Sequence, residues 1–341
     1  MANIKDVAQR AGVSATTVSH VVNQTRFVAE PARLRVLEAV QALGYVPSGV
    51  ARSLKHNATR ILGMLIPNNS NPYFAEILRG VEARCYEAGY NVLLGNSDDD
   101  PVRQTAYLRV LAEQRVDGLI LVTAHSGPGG AVLAEPLGPW TIPVVMVDRE
   151  VPGLAGDLVA VDHVLGGLLA TRHLLTLGHP WVACIGGPPE LSSADQRRRG
   201  WQQALAEAGV ARRPGDGVAG DFSSAGGYQA MRLLLRHRPR PSAVFVCNDL
   251  MAFGALAACQ EAGVRVPRQL ALVGYDDIQL AAFSTPALTT VVQPKRQMGI
   301  LAADLLLERI QTGRRQARRV ILEPLLKIRG SSSVTRAERR S

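Results

Sequence analysis

Polar and aromatic residues recur where apolar runs end in the long carboxyl-terminal part of this 341-residue chain. Sugars need donors and acceptors for vicinal hydroxyls, and their C–H groups pack on aromatic faces. The run ends and the turns after them supply carboxylates, amides, guanidinium groups and aromatic rings: Asn71, Tyr73, Phe74, Asp148, Arg149, Arg197, Asn248, Asp249, Asp276 and Gln293. Together these residues indicate a site for a polyhydroxylated ligand.

Taken singly, most of these residues also have a structural explanation. Asn71 before Pro72 is typical of a turn, and Asp148 beside Arg149 of a surface ion pair. Asn248 is a good helix cap. Only the combination favours a binding site.

An enzyme is the alternative, since Asp148, Asp249 and Asp276 are candidate general acids or bases. The sequence contains no nucleophile elbow, P-loop, metal triad or dinucleotide-binding glycine motif in the required context. The glycines at 186 and 187 follow an apolar run but lack the remaining glycines of such a motif. We therefore expect no catalysis, no cofactor and no metal.

The elements that must position these residues alternate from residue 61 onward. Strands are predicted at 61–66, 91–94, 118–122, 143–147, 182–185, 243–246 and 270–274. Helices are predicted at 73–88, 101–114, 165–177, 196–208, 225–236, 249–262 and 295–310. Repeated strand–helix units predict an α/β body with two parallel sheets covered on both faces, the second opening near Asp162.

The first 23 residues have the pattern of a helix-turn-helix. Asn3 and Asp6 have the spacing of a capping box, and Gly12 permits a sharp turn. Ser14 caps the second helix, which turns Ala15, Thr16, Thr17 and His20 outward. A third helix is predicted to open at Pro31, to repeat Leu34, Leu37, Val40 and Leu43, and to stop at Gly44.

The next segment predicts a short helix in which Val50, Ala51 and Leu54 share a face flanked by Arg52 and Lys55. An apolar stripe between cations suits a minor-groove wedge that enters a base step while the cations hold phosphate. The alternative is a linker that packs on the next domain. Because Gly49 costs about 1 kcal/mol in a helix interior, we expect this helix to form only on DNA.

The net charge of +9 is unevenly distributed, with +5 in residues 1–60, +7 in residues 313–341 and −3 between them. A basic terminus on a mildly acidic body is what a DNA-binding protein needs. The arginine pairs at 314–315 and 318–319 are more typical of solvated surface.

No apolar run is long enough for a membrane span or signal core, and the four cysteines lack metal spacing. We therefore expect a cytoplasmic, nucleoid-associated protein with reduced thiols.

Residues 3–55 resemble the DNA-binding headpiece and hinge of the LacI/GalR family of bacterial transcription regulators, and the likeness extends over nearly the whole chain. It implies a headpiece (1–46), a hinge and linker (47–60), a two-lobed body like that of periplasmic sugar-binding proteins (61–330) and a basic tail (331–341). Lobe one would comprise 61–161 and 292–323, and lobe two 162–291 and 324–330. Three crossovers would join the lobes, with the ligand between them.

The resemblance also implies a homodimer that binds double-stranded operator DNA. Ala15, Thr16 and His20 would meet base edges, Asn23 and Arg26 would lie near the backbone, and Leu54 would open the central base step. The DNA-binding set is Ser14, Ala15, Thr16, Thr17, His20, Asn23, Arg26, Val50, Ala51, Leu54 and Lys55. Ala15 is too short to hydrogen-bond, so it would read only a thymine methyl group or exclude bulk.

The strings NPYF, VDRE, RRRGW, CNDLMAFGAL, GYDD and VVQPK resemble those by which ribose-binding proteins hold their sugar. Tyr73 and Phe74 would sandwich the ring. Seven polar residues would bind hydroxyls: Asn71, Asp148, Arg149, Arg197, Asn248, Asp276 and Gln293. Family members that bind purines are the alternative, with hypoxanthine or guanine as corepressor. The positions aligned with their purine-reading residues are Leu191, Ser193 and Phe222, and leucine cannot donate to a purine oxygen, a loss of roughly 1 to 3 kcal/mol. We therefore expect a pentose, ribose above others, acting as inducer, with Phe222 stacking on the ligand.

Overall fold

The computed structural model describes residues 2–46, 58–124 and 142–333, which fall into two compact units divided between Thr59 and Arg60. Four predicted DNA contacts lie outside the described residues: Val50, Ala51, Leu54 and Lys55. The same holds for residues 334–341 of the predicted tail.

The amino-terminal unit contains three helices around a small apolar core. Helix α1 (Ile4–Ala11) begins with the predicted capping box, in which Asn3 and Asp6 bond each other's backbone N–H groups. It ends at Gly12, whose φ of 64° favours glycine. Helix α2 (Ala15–Asn23) is capped by Ser14, whose hydroxyl accepts from the backbone of Thr17 over 3.1 Å. The predicted helix-turn-helix is confirmed.

Helix α3 (Glu30–Leu43) differs from the prediction in its start and in the face that it buries. It begins one residue before Pro31 and buries Val36 and Ala39. Leu34 and Leu37 are 50% and 43% exposed. With 3.6 residues per turn, the positions that face α1 and α2 are those shared with Val36, which the leucine spacing alone does not reveal.

The larger unit contains two six-stranded sheets. The strands are β1 (Ile61–Ile66), β2 (Asn91–Asn96), β3 (Gly118–Leu121), β4 (Val144–Val147), β5 (Asp157–Val161), β6 (Val182–Gly186), β7 (Gly217–Ala219), β8 (Ala243–Val246), β9 (Ala271–Asp276), β10 (Thr289–Val292), β11 (Arg319–Leu322) and β12 (Leu325–Lys327). The first sheet has the order β11-β5-β4-β3-β1-β2 and the second β12-β10-β9-β8-β6-β7. All pairs are parallel except β10 with β12.

Helices cover the two sheets, as their apolar stripes require. They are α4 (Pro72–Glu87), α5 (Pro101–Glu113), α6 (His163–Thr176), α7 (Ser192–Glu207), α8 (Ser224–Leu234), α9 (Asp249–Glu261) and α10 (Lys295–Thr312). Helices α4, α5 and α10 pack on the first sheet, and α6, α7, α8 and α9 on the second. The predicted α/β class with two parallel-sheet lobes is confirmed.

The chain passes between the sheets three times. It leaves the first sheet after β5, returns after β10, and crosses again between β11 and β12. The sequence analysis missed five of these strands: β5, β7, β10, β11 and β12. All five are three to five residues long, and three of them, β7, β11 and β12, are partly exposed at a sheet edge. They therefore lack the long apolar run that marks a central strand.

Candidate functional site

A buried polar network joins the two sheets where the carboxyl ends of their central strands meet. The Tyr73 hydroxyl, in the first turn of α4, lies 2.8 Å from Asp148 Oδ1 and 3.1 Å from Gln293 Oε1. The Gln293 amide nitrogen donates to Asp276 Oδ1 over 2.7 Å. The strand-end residues therefore converge from both lobes, as parallel sheets place them.

Arg197 anchors the second-lobe side of this network. Its Nη1 donates to the carbonyl oxygen of Cys247 over 2.6 Å and lies 3.5 Å from Asp276 Oδ1. Its guanidinium carbon is 4.0 Å from the centre of the Tyr275 ring, a cation–π distance. A Cβ at Gly167 would collide with the carbonyl oxygen of Arg197, so this glycine lets α6 and α7 approach and places the guanidinium.

His163 is a cleft residue that the sequence analysis missed. It is the first residue of α6 and is fully buried. Its Nε2 lies 3.2 Å from Asp148 Oδ1, and its Nδ1 lies 3.1 Å from the Tyr275 hydroxyl and 3.4 Å from Arg197 Nε. His163 follows β5, so recognising that strand would have placed it among the strand-end residues.

Three further residues have cap or support roles. The Asn71 side chain caps α4 by accepting from Tyr73 N over 3.0 Å. Asn248 caps α9 and donates to the carbonyl oxygen of Phe222 over 2.9 Å. Phe222 has a φ of 65°, and its ring fills the space where a Cβ on Gly187 would lie. The alternative considered for Asn248, a helix cap, is thus what its side chain does.

Arg149 and Phe74 border the network on the first-lobe side. Arg149 Nη1 donates to the carbonyl oxygen of Thr123 over 2.8 Å, and its Nε lies 3.7 Å from Asp148 Oδ2. The guanidinium carbon is 5.8 Å from the Phe74 ring centre, and the Phe74 and Tyr73 rings meet edge to face at 5.0 Å. The two aromatic rings and the guanidinium group of Arg149 together line the first-lobe side of the cleft.

The electrostatics of the site depend on burial and on a few charged partners. Burial alone would raise the pKa of Asp148, but His163, Arg197 and Arg149 lower it, so this carboxylate is ionised. Burial raises the pKa of Asp276 to about 6, against the opposing effect of Arg197. Burial, followed by Arg197, lowers the pKa of His163, so its imidazole is neutral.

Two of these carboxylates also lie on unusual backbone. Asp148 has a φ of 66° and Asp276 a φ of 110°. Residues other than glycine adopt such angles at a cost, and they cluster at functional sites. Asp249 has a different role, because its oxygens accept from Thr290 Oγ1 over 2.6 Å and from the backbone of Ile278 over 2.9 Å. It holds the loop after β9 in place.

In the amino-terminal unit, the predicted DNA-binding residues lie along α2 and just after it. Thr16, Asn23 and Arg26 are exposed, whereas Ala15 is partly buried against the helical core. The ring Nδ1 of His20 lies 2.8 Å from Thr25 Oγ1. This surface can present hydroxyl, imidazole, amide and guanidinium groups to a ligand outside the unit.

None of the helices described in the three ranges above is long and apolar enough to cross a membrane. Nor do the described residues contain a group of three or more His, Cys, Asp or Glu side chains that could hold a metal ion.

Family models match both units. The model of bacterial regulatory proteins of the lacI family matches residues 3–48, and that of a periplasmic binding protein-like domain matches residues 171–332. The Escherichia coli K12 ribose operon repressor is 44% identical over 332 residues, which cover 97% of this chain and all of that protein. The transcriptional repressor PurR of Photobacterium profundum is 42% identical, covering 97% of this chain and 98% of that protein.

Solved structures show the same fold. The lac repressor dimer bound to operator and the anti-inducer ONPF matches with a TM-score of 0.87 and 28% identity, over 98% of this chain and 99% of that chain. A LacI family regulator from Enterococcus faecium with bound ribose matches with a TM-score of 0.71 and 30% identity, over 80% of this chain and 98% of that chain. The chain therefore belongs to the lacI family of bacterial regulatory proteins, as a DNA-binding transcriptional repressor.

Proposed function

We propose that ribose, or a closely related pentose, binds between the two lobes and controls the affinity of this repressor for its operator. The observation that carries the proposal is the chain of alternating donors and acceptors from Asp148 through Tyr73 and Gln293 to Asp276. Sugar hydroxyls both donate and accept, so they can replace such bonds one for one. The names of the E. coli relative and of the ribose-bound neighbour support the same ligand.

The charges of the cleft favour an uncharged ligand over a sugar phosphate. Arg197 and Arg149 already donate to the backbone carbonyl oxygens of Cys247 and Thr123, and each lies beside a carboxylate. Lys295 donates to two further carbonyl oxygens. A phosphate would have to displace these buried contacts, and a displaced buried partner costs about 1 to 3 kcal/mol.

A purine is the second candidate, supported by the PurR relatives. Phe222 offers an aromatic face for a base, and Arg197 lies 5.7 Å from its ring centre. Against a purine, the residue before α7 is the buried Leu191, which has no donor for a purine oxygen. With ribose we expect induction, and with hypoxanthine or guanine corepression.

We further propose that the headpiece, hinge, lobe and tail boundaries given above are the domains of the protein, and that α2 enters the major groove. Thr16 and His20 would meet base edges there, and Leu54 would open the central base step. Closure of the lobes around the ligand is the two-state element that would release or permit the hinge helices. We infer that the protein catalyses no reaction and acts in the cytosol, in keeping with a family of DNA-binding regulators.

A second copy of this chain is the partner that the second lobe fits best. Leu280 and Phe283, in and just after the short helix Gln279–Ala282, are 55% and 76% exposed. A nearby cavity of about 570 Å³ is lined by Phe253, Leu256 and Pro286, among others. Apolar side chains beside an apolar cavity are typical of a protein interface. The lac repressor to which this chain is similar is a dimer.

Titration calorimetry of the full chain with ribose, ribose 5-phosphate, hypoxanthine and guanine tests the ligand. Saturable heat with ribose and little with its phosphate is expected. Saturable binding of hypoxanthine without any heat from ribose would instead make the protein purine-responsive. Selection of duplexes from a random pool, with and without the bound compound, then identifies the operator and the direction of control.

A further inference from the structure

We propose that His163 determines ligand specificity in the cleft. One hydroxyl of the ligand accepts from its Nε2–H and donates to the Asp148 carboxylate, and this shared grip connects the two lobes. This inference rests on the proposed function, since it needs a polyol between the lobes.

The position of the His163 proton follows from its neighbours. A guanidinium only donates, so Arg197 Nε, 3.4 Å away, requires Nδ1 to be an acceptor. The Tyr275 hydroxyl, 3.1 Å from the same Nδ1, can donate to it as well. The proton of the neutral ring therefore lies on Nε2, on the side of Asp148.

This Nε2–H is a buried donor in search of an acceptor. It lies 3.2 Å from Asp148 Oδ1, close enough to lower the pKa of that carboxyl, but outside full hydrogen-bond geometry to any residue that the structure describes. The Tyr73 hydroxyl already donates to that oxygen over 2.8 Å. A buried donor without a full partner is destabilising, and a ligand acceptor would remove that cost.

A hydroxyl is the group that fits between these two side chains. It can donate to the Asp148 carboxylate and accept from Nε2–H at the same time, whereas a purine carbonyl oxygen can only accept. Asp148 follows β4 of the first sheet, and His163 begins α6 on the second. One hydroxyl held by both therefore stabilises the closed arrangement of the lobes.

The charged groups around His163 keep it in the form that this grip requires. Asp148 and Arg149 face it from the loop after β4, Arg197 from α7, and Asp276 lies beyond Arg197 at the end of β9. A proton on Nδ1 would oppose the N–H of Arg197, and burial together with Arg197 lowers the pKa of His163. The donor thus persists at neutral pH.

Two amide substitutions separate the two ring nitrogens. Gln places its amide nitrogen near the position of Nε2, and Asn places its own near Nδ1. We expect H163Q to bind ribose within about threefold of the wild type and H163N to bind at least about tenfold more weakly, by calorimetry on the full chain. The matched control is H173N, on the same helix, whose imidazole bonds Ser332 away from the cleft.

A panel of monodeoxy pentoses distinguishes a grip on one hydroxyl from a general structural effect. For the sugar that lacks the gripped hydroxyl, wild type and H163N should bind equally. Equal losses for every sugar, or ribose binding by H163N that matches the wild type, would overturn the inference. Operator affinity without sugar shows that each variant is folded. If neither wild type nor H173N binds ribose, the proposed function itself fails.

Discussion

The Tyr73 hydroxyl lies 2.8 Å from Asp148 Oδ1, although 75 residues separate the two along the chain. This bond fixes the aromatic ring in the first turn of α4 against the carboxylate that directly follows β4. It makes Tyr73 a polar residue of the cleft as well as an aromatic wall.

Replacing Tyr73 with Phe should therefore weaken ribose binding while leaving operator binding without sugar intact. The change removes the one proton that the Tyr73 hydroxyl donates to Asp148 Oδ1, at a cost of about 1 to 3 kcal/mol, or roughly 5- to 150-fold in affinity. Titration calorimetry measures the ribose affinity of the wild type and of the variant. Tyr86→Phe is the control, because Tyr86 is 84% exposed. Unchanged ribose affinity in Tyr73→Phe would show that the hydroxyl serves only the aromatic wall.

Ribose affinity should fall as the pH drops from 7 to 5. Burial raises the pKa of Asp276 to about 6, and a hydroxyl that donates to this carboxylate favours its ionised form. Binding near pH 6 should therefore release a proton. Calorimetry in two buffers of different ionisation enthalpy detects this release, and the same experiment at pH 8 is the control. Proton uptake on ribose binding would contradict this prediction.

The same shifts predict how stability depends on pH without ligand. The folded state holds the Asp276 proton more tightly than the unfolded chain, so between about pH 4 and 6 this group lowers stability as the pH rises. His163 acts in the opposite sense, because its pKa is lowered by burial and then by Arg197. Its contribution is lost as the pH falls below about 6.5. Comparing the denaturant midpoints of wild type and H163Q from pH 5 to 8 separates the two.

Asp157→Ala should lower the free energy of unfolding by about 3 to 5 kcal/mol. Asp157 is fully buried, and its two oxygens lie 2.7 and 3.0 Å from the Nη atoms of Arg314. Without Asp157, the guanidinium keeps only Glu308 and the carbonyl oxygen of Gln316, and the backbone N–H of Arg318 loses its acceptor. Glu207→Ala, which breaks the exposed pair with Arg172, should change the free energy of unfolding far less, because solvent screens that pair. Equal losses in urea titrations would contradict this difference.

Leu54→Ala should weaken binding to the selected operator and leave binding to random duplex DNA nearly unchanged. A wedge acts only where a base step opens, whereas the cations act on any phosphate backbone. Fluorescence anisotropy at several salt concentrations measures both affinities. A parallel loss on both duplexes would refute the wedge.

Phe283→Ser should shift the protein from dimer to monomer in sedimentation velocity experiments. An aromatic side chain at the centre of an interface typically contributes 2 kcal/mol or more, so the roughly 30-fold weaker association is measurable. Leu177→Ser, a partly exposed residue elsewhere, is the control. A dimer that withstands the change would place the interface on another face.

Much of the cleft was predictable, because the carboxyl ends of parallel strands share one edge of a sheet. Asp148 and Asp276 were found in this way, whereas Gln293 follows the unrecognised β10 and was identified from the apolar pair before it and from the resemblance of the string VVQPK. His163 was missed because β5 was not recognised as a strand. Which of these side chains bond each other was beyond the sequence, since the Tyr73–Gln293 contact spans 220 positions. The short strands of the third crossover carry too few apolar residues to be identified.

Two of the residues that line the cleft also lie in the segments where the chain changes sheets. His163 comes two positions after β5, and Gln293 directly follows β10. A ligand bound to these two residues would therefore act directly on the crossover segments that join the two sheets. The same backbone segments contribute to the ligand site and connect the lobes, so even a small sugar could change the angle between the two lobes.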